Sequence, residues 1–481
     1  MALLIKYHRT VFSAALFFLS TVAAIVFGQP ILFAIPFVWL IIPYIFNYCV
    51  NQTENLFWIL LLLLPLSTEL NITPSLGIDF PDELLLMLLT GLSIVKLIHE
   101  PKLFPSILKK QTLFFMLILI MVWTVISSFY SVQPILSIKF LLARIWYIIP
   151  FVVLPQLLVK SQTDCRKLAL LLVLPMLAMV IQALIRFGFY GFAFDSIKKT
   201  MAPFFRNHVN YSAMLVCLLP IAFAIYYLTP KTNPQKKLIL LGLAIGLIGL
   251  FYAYSRGAWL ALVVGIAFVY ILQKKLLKWL VGLMLVIIVV ASSWLAIDYH
   301  YMRFAPDHDH TIFHTNFSEH IAATVAFKDV SNAERFHRWI AGARMFADRP
   351  ITGFGANTFY SSYQPFTVDR FKTWVSNNPE HSTVHNYFLL TLLEQGLPGL
   401  LLFGGLYIGM LFKAQQLYHQ LQNQFYQTMA ICIGVVLAMM GLLIFMSDLI
   451  ETDKIGSLFW LSLGLLFVLE SKLSEEKSAI A

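Results

Sequence analysis

Charge is what this sequence has least of. Asp, Glu, Lys and Arg together make up only 12% of the 481 residues, while 59% are hydrophobic and the mean hydropathy is +0.78. So little charge cannot cover a water-soluble globule of this length, which excludes a soluble protein and leaves an integral membrane protein. Cysteine is also scarce. Cys49, Cys165, Cys217 and Cys432 lie in or beside apolar runs, so neither a disulfide framework nor a zinc knuckle is readable. The alternating pattern of barrel strands is missing too, which excludes a transmembrane barrel, and no convincing internal repeat of the transporter kind is found.

What is present is a series of long apolar runs, among them LFWILLLLLPL, LFFMLILIMVWTVI and AICIGVVLAMMGLLIF. Each approaches the roughly 20 residues that cross a hydrocarbon core as helix. Spans are expected near residues 11–28, 31–50, 56–70, 83–98, 112–130, 136–159, 167–187, 208–228, 238–253, 257–272, 279–297, 386–412, 427–446 and 455–470. The fold class is therefore all-α and polytopic, with about 12–14 transmembrane helices. The first run is read as a retained span because no small-residue cleavage site follows it.

The few charges are ordered. Lys6 and Arg9 precede the first run, and alternate connections carry Lys102, Lys109 and Lys110; Lys160, Arg166 and Lys167; Lys231, Lys236 and Lys237; Lys274, Lys275 and Lys278; and Lys413. Basic loops stay in the cytoplasm, which puts both termini there as well. This bias accounts for most of the formal charge of +10, so the expected partner is the lipid bilayer and no nucleic acid is called for. Arg206 and Arg256 break the rule on the external side. Four regions follow: amino-terminal helices over 1–200, helices with external arginine-bearing turns over 201–297, one large external loop over 298–384, and carboxy-terminal helices over 385–481.

That loop holds seven of the twelve histidines. Within it, AERFHRWIAGARMFAD has helical periodicity. Phe336, Trp339, Ile340, Ala343 and Ala347 fall on one stripe, with Arg335 and Arg338 together off it, so the helix should lie on the membrane or roof the bundle. In DRPITGFGANTF, Pro350, Gly353 and Gly355 predict either an ordinary turn or one that brings backbone amides towards a phosphate. Asp307, His308, Asp309 and His310 form either a solvated loop or an adventitious metal site.

Residues 238–272 would make a single helix of about 52 Å, too long for one crossing, so the chain must turn at YSRGAW and place Arg256 at the external surface. There it is either a snorkelling arginine or an anion ligand. Arg206, Asn207, His208 and Asn210 precede another inward span, as a cap and anchor or as ligands. His385 and Asn386 open HNYFLLTLLEQGLPG. Counting about 20 helical residues back from Lys413 reaches only Leu393, which lifts His385 about 12 Å farther, into the external headgroup zone.

YSRGAW, ERFHRWIAGARMFADRPITGFGANTF and HNYFLLTLLEQGLPG, in that order and spacing, resemble the O-antigen ligase and polymerase superfamily of bacterial envelope glycosyltransferases, over roughly residues 200–412. The resemblance implies a GT-C-type fold in the bacterial inner membrane with its active site facing the periplasm. It implies transfer of a glycan from an undecaprenyl-diphosphate donor to an acceptor hydroxyl, on lipid A core for a ligase or on another carrier-linked glycan for a polymerase, with no cofactor and no metal. Carried over, Arg256, Arg335 and His385 match the family's essential residues, and Arg206, His208, Arg338 and Asn386 stand as substrate-binding candidates. The chemistry agrees. Guanidinium groups stabilise a departing diphosphate, and a neutral imidazole can take the acceptor's proton, with activity falling on the acid side as it protonates. A flippase would instead bury charge deep in its spans. Here Lys139, Arg144 and Arg186 lie in or beside apolar runs, but most of the external charge gathers at one face.

Overall fold

A computed structural model describes residues 16–22, 51–73, 76–304, 330–373, 376–378 and 381–480. The expected runs at 11–28 and 31–50 lie outside the described residues except for the helical segment 16–22, and the tract Asp307 to His310 lies wholly outside them.

Nine described helices are long and apolar enough to cross a membrane, and they make the chain an all-α polytopic membrane protein. Numbering from the first complete helix, α1 is Thr53–Leu63, α2 Asp82–His99, α3 Thr112–Phe129, α4 Pro134–Leu158, α5 Gln162–Phe189, α6 His208–Leu228 and α7 Gln235–Phe251. There follow α8 Arg256–Gln273, α9 Leu277–Ala296, α10 Val330–Asp348, α11 Tyr387–Gln420, α12 Gln424–Met446 and α13 Asp453–Ile480. The runs expected near 56–70, 83–98 and 238–253 are the helices α1, α2 and α7, which fall short of the nine in length or composition. Pro65 ends the first of these in a 3₁₀ turn. The chain then forms a small antiparallel hairpin, β1 Thr68–Thr73 and β2 Leu76–Phe80.

The core sits around α12 and α13. In the apolar window of α13, 78% of residues are buried inside the protein, against none in that of α9. α8 and α12 touch at two glycines: a Cβ on Gly265 would collide with Met439, and one on Gly434 with Leu272. Helix α11 runs on past the expected end near residue 412. Lys413, near the expected end, is paired with Glu470 of α13 at 2.6 Å.

Several turns gather at one end of this bundle. Lys454 donates to Ser67 O at 2.9 Å beside the hairpin and also to Phe204 O. Tyr254 donates to Phe192 O at 3.3 Å. A Cβ on Gly257 would lie 3.7 Å from Met446 Sδ, which seats the α7–α8 turn beside the carboxy end of α12. Val132 N donates to Phe354 O at 2.9 Å. α10 lies over this end, with Gly342 against Leu393 of α11.

Candidate active site

The lid over the bundle is built by two of the sequence motifs locking together. Helix α11 is broken at Gly396, where φ is +69° and ψ is −174°. The break frees carbonyls that an unbroken helix would satisfy internally. Phe354 N donates to Leu393 O at 3.0 Å and Gly355 N to Glu394 O at 2.8 Å, while Leu397 N donates to Pro350 O at 2.8 Å. A Cβ at Gly396 would fall 1.9 Å from Ile351 O, so no larger residue fits.

The glycine turn does not offer its amides to a phosphate. Asn357, Thr358 and Phe359 donate their N–H groups to the Glu394 carboxylate at 2.8, 3.0 and 3.0 Å. The anion the nest was shaped for is a side chain of the same protein. Gly353 and Gly355 themselves follow the ordinary-turn reading, their amides donating to the Arg349 and Glu394 carbonyls, and Glu394 lies on a helix that the sequence alone does not bring to the turn.

α10 also turns differently from the expected stripe. Its buried face carries Glu334, His337, Arg338, Ala341, Gly342 and Met345, whereas Ala343 and Ala347 are exposed and Phe336, Trp339 and Ile340 are half-buried. Arg338, expected off the apolar stripe, is only 5% exposed. Its burial is possible because it is paired: Arg338 Nη2 lies 3.2 Å from Glu334 Oε2, and the other oxygen of Glu334 accepts from the Thr373 and Ser376 hydroxyls. Arg338 Nη1 donates to Thr383 O at 3.0 Å. Arg335, one turn away, is half-buried and donates to Asn332 Oδ1 at 3.3 Å.

His385 precedes α11 with φ +54°, a left-handed conformation that a residue with a β-carbon adopts uncommonly. Its imidazole is partly buried. Burial pushes its pKa down to about 4, Arg338 and Arg335 add to the effect, and Asp448 and Glu334 oppose it. The ring is therefore neutral well below pH 7, which moves the expected acid limb of activity out of the neutral range. His337 of α10 is likewise lowered, chiefly by burial.

The structure thus brings His385 together with Arg335 and Arg338. Arg256, the first residue of α8, lies next to Gly257, which packs beside Met446, two residues before Asp448. Arg206 is elsewhere: it pairs with Glu69 of the hairpin at 3.9 Å, with 70% and 42% of the two side chains exposed. His208 begins α6, whose cap is Asn207, accepting from Asn210 N at 2.9 Å. Asn386 is 6% exposed, and its Oδ1 caps α11 by accepting from Leu389 N at 3.0 Å.

Sequence reasoning missed Glu334, Asp448 and Glu394. Glu334 had a readable signal, since it stands four residues before Arg338 on one helical face. Asp448 lies in the acidic turn SDLIETD. Nothing in the sequence marks Glu394 as the partner of the glycine turn. Arg144 is buried in α4, where its Nη2 donates to Tyr387 Oη at 2.6 Å and its guanidinium lies 4.4 Å from the Phe140 ring.

Among curated proteins, none matches this chain. Residues 241–404 match the family model described as O-antigen ligase. That stretch, about a third of the chain, contains the Arg256 turn, α10, the glycine turn, His385 and the break in α11. Over residues 241–404, and so over the stretch that holds these candidate residues, the chain is similar to the O-antigen ligase family.

Proposed function

We propose that the protein transfers a glycan from an undecaprenyl-diphosphate carrier to an acceptor hydroxyl, on lipid A core, at the periplasmic face of the bacterial inner membrane. The observation that carries this reading is His385. It is a neutral, partly buried imidazole held in a left-handed turn at the mouth of α11, facing arginines of α10. Arg256 and Arg335 are assigned to the diphosphate, where a bidentate fork stabilises the charge that develops as the glycosidic bond breaks. His385 Nδ1 or Nε2 takes the proton of the acceptor hydroxyl as its oxygen bonds to the anomeric carbon. The carbon–oxygen bond to the diphosphate breaks on the opposite side, inverting that centre. The helical scaffold with an external site is read as GT-C-type, and the chemistry needs neither metal nor cofactor.

The test uses purified full-length protein in detergent, a carrier-linked oligosaccharide and candidate acceptors, with the products weighed by mass spectrometry. A glycan joined to lipid A core, unaffected by EDTA, is the expected result. Extension of the carrier-linked chain alone would make the protein a polymerase with the same chemistry. No transfer to any acceptor, or transfer only with added divalent metal, would overturn the mechanism.

A further inference from the structure

The chain just before His385 is held by two side chains from one turn of α10. Arg338 Nη1 donates to Thr383 O at 3.0 Å, and Trp339 Nε1 donates to Val384 O at 3.0 Å. The His385 N–H donates to Thr383 Oγ1 at 3.3 Å, and the next residue is the Asn386 cap. Two successive carbonyls are thus pinned immediately before a residue at φ +54°. A left-handed residue persists where its surroundings over-determine it, and these contacts are the determinants.

The clamp is itself anchored. Glu334 and Arg338 are each 5% exposed and paired at 3.2 Å. The second Glu334 oxygen takes the hydroxyls of Thr373 and Ser376, which ties in another stretch of the loop. Trp339 packs its ring 6.2 Å from that of Phe445 at the end of α12. Arg338 Nε is buried without a hydrogen-bond partner, but the Glu334 carboxylate beside the guanidinium repels a diphosphate, which makes this arginine a poor ligand for it.

We propose that Glu334, Arg338 and Trp339 are positioning residues, which fix the backbone of residues 383–385 and so aim the His385 imidazole, and that Arg338 does not hold the donor. The charged groups that face His385 are Arg335, Arg338 and Glu334 from α10 and Asp448 from the α12–α13 turn. The role of His385 is taken from the glycosyl-transfer reading above, whereas the clamp itself is independent of it.

The test compares Arg338→Lys, Glu334→Gln and Trp339→Phe in the full-length protein in detergent, at matched membrane abundance and elution. Trp339→Phe keeps the ring and removes only the N–H donor. Hydrogen–deuterium exchange should show lost protection confined to residues 383–389. Single-turnover transfer from the carrier-linked oligosaccharide should fall about 10²-fold in Arg338→Lys and roughly 5-fold in Trp339→Phe, the worth of one hydrogen bond, with donor affinity unchanged. In a His385→Ala background, neither change should cost anything further, because both act through the imidazole. Unchanged exchange protection would overturn the clamp. Donor affinity lost in step with the rate, or additive losses with His385→Ala, would make Arg338 a ligand instead. Lost protection in a protein that transfers nothing even as wild type would uphold the clamp and overturn the transfer reading alone.

Discussion

One end of this bundle contains two arginine–glutamate pairs that differ in almost every physical respect. Arg338 and Glu334 lie 3.2 Å apart with 6% and 7% of their side chains exposed, and every oxygen of the glutamate is used. Arg206 and Glu69 are 3.9 Å apart with 70% and 42% exposed. Solvent screens the second pair and replaces either partner readily, so it contributes about 0–1 kcal/mol. In the first, removing one partner strands a charge away from water, at about 3–5 kcal/mol. Both arginines were candidate ligands on the same grounds, external position and positive charge. Burial separates an arginine locked beside His385 from one held loosely against the hairpin.

The sharpest way to press this comparison is to change what the buried pair serves. His385→Ala should lower the single-turnover transfer rate by on the order of 10² to 10⁴ while donor affinity is kept. Loss of donor binding with an unchanged rate would make His385 a ligand and would detach the buried pair from the chemistry. Next, Arg256→Ala and Arg335→Ala should each reduce turnover by about 10²- to 10³-fold through weaker donor engagement. Lys at either position should restore only part, since a point charge replaces the fork imperfectly. Full activity in the Ala variants at normal abundance would leave the diphosphate without a ligand among them.

A stability measurement extends the contrast to the other internal anion. Glu394→Ala leaves the amides of Asn357, Thr358 and Phe359 without their carboxylate. About 1–3 kcal/mol for each stranded donor is expected, read as a fall in the thermal midpoint in detergent. An unchanged midpoint would mean that water replaces the carboxylate. Arg206→Gln and Glu69→Gln should change neither transfer nor midpoint beyond about 1 kcal/mol; a tenfold loss of transfer would return Arg206 to the site.

The smallest effect is with pH. Because the pKa of His385 is lowered to about 4, the imidazole is already neutral at pH 5.5, and no acid limb from this group should appear between pH 5.5 and 8.5. The sign follows from the charged form being disfavoured by burial and by Arg338. Replacing Arg338 with Gln removes one of those causes, so the limb should move up in pH. A wild-type midpoint near 6.5 would place His385 in open solvent.

Much of the scaffold was legible before the structure. Run length located α3, α5, α6, α8, α9 and α12 to within a few residues, because an apolar stretch of membrane length has few alternatives to helix in a bilayer. The 52 Å argument correctly forced the turn at YSRGAW. Charge pairing was not legible: nothing local to Lys413 marks Glu470 of a later helix as its partner. The site was legible as a set of residue types at one end of the bundle. His385, Arg335 and Arg338 were candidates from the sequence and stand together in the structure, whereas the pairing of Arg338 with Glu334 and the capture of Glu394 by the glycine turn were not legible.

What the sequence determined by itself is the solvent of this chain and the periodicity of its helices, since both are sums over neighbouring residues. Which face of α10 goes inward was decided only by tertiary structure. An apolar stripe would have buried Ala343 and Ala347, yet the protein buries Arg338 together with Glu334, because Thr373 and Ser376, 39 and 42 residues beyond Glu334, and Thr383, 45 beyond Arg338, complete the partners that make the charges tolerable. The same holds for the glycine turn, whose amides are claimed by Glu394 some 36 residues downstream of Thr358. Desolvating a charge is permitted or forbidden by partners that no local period reveals, and those partners are supplied by the fold.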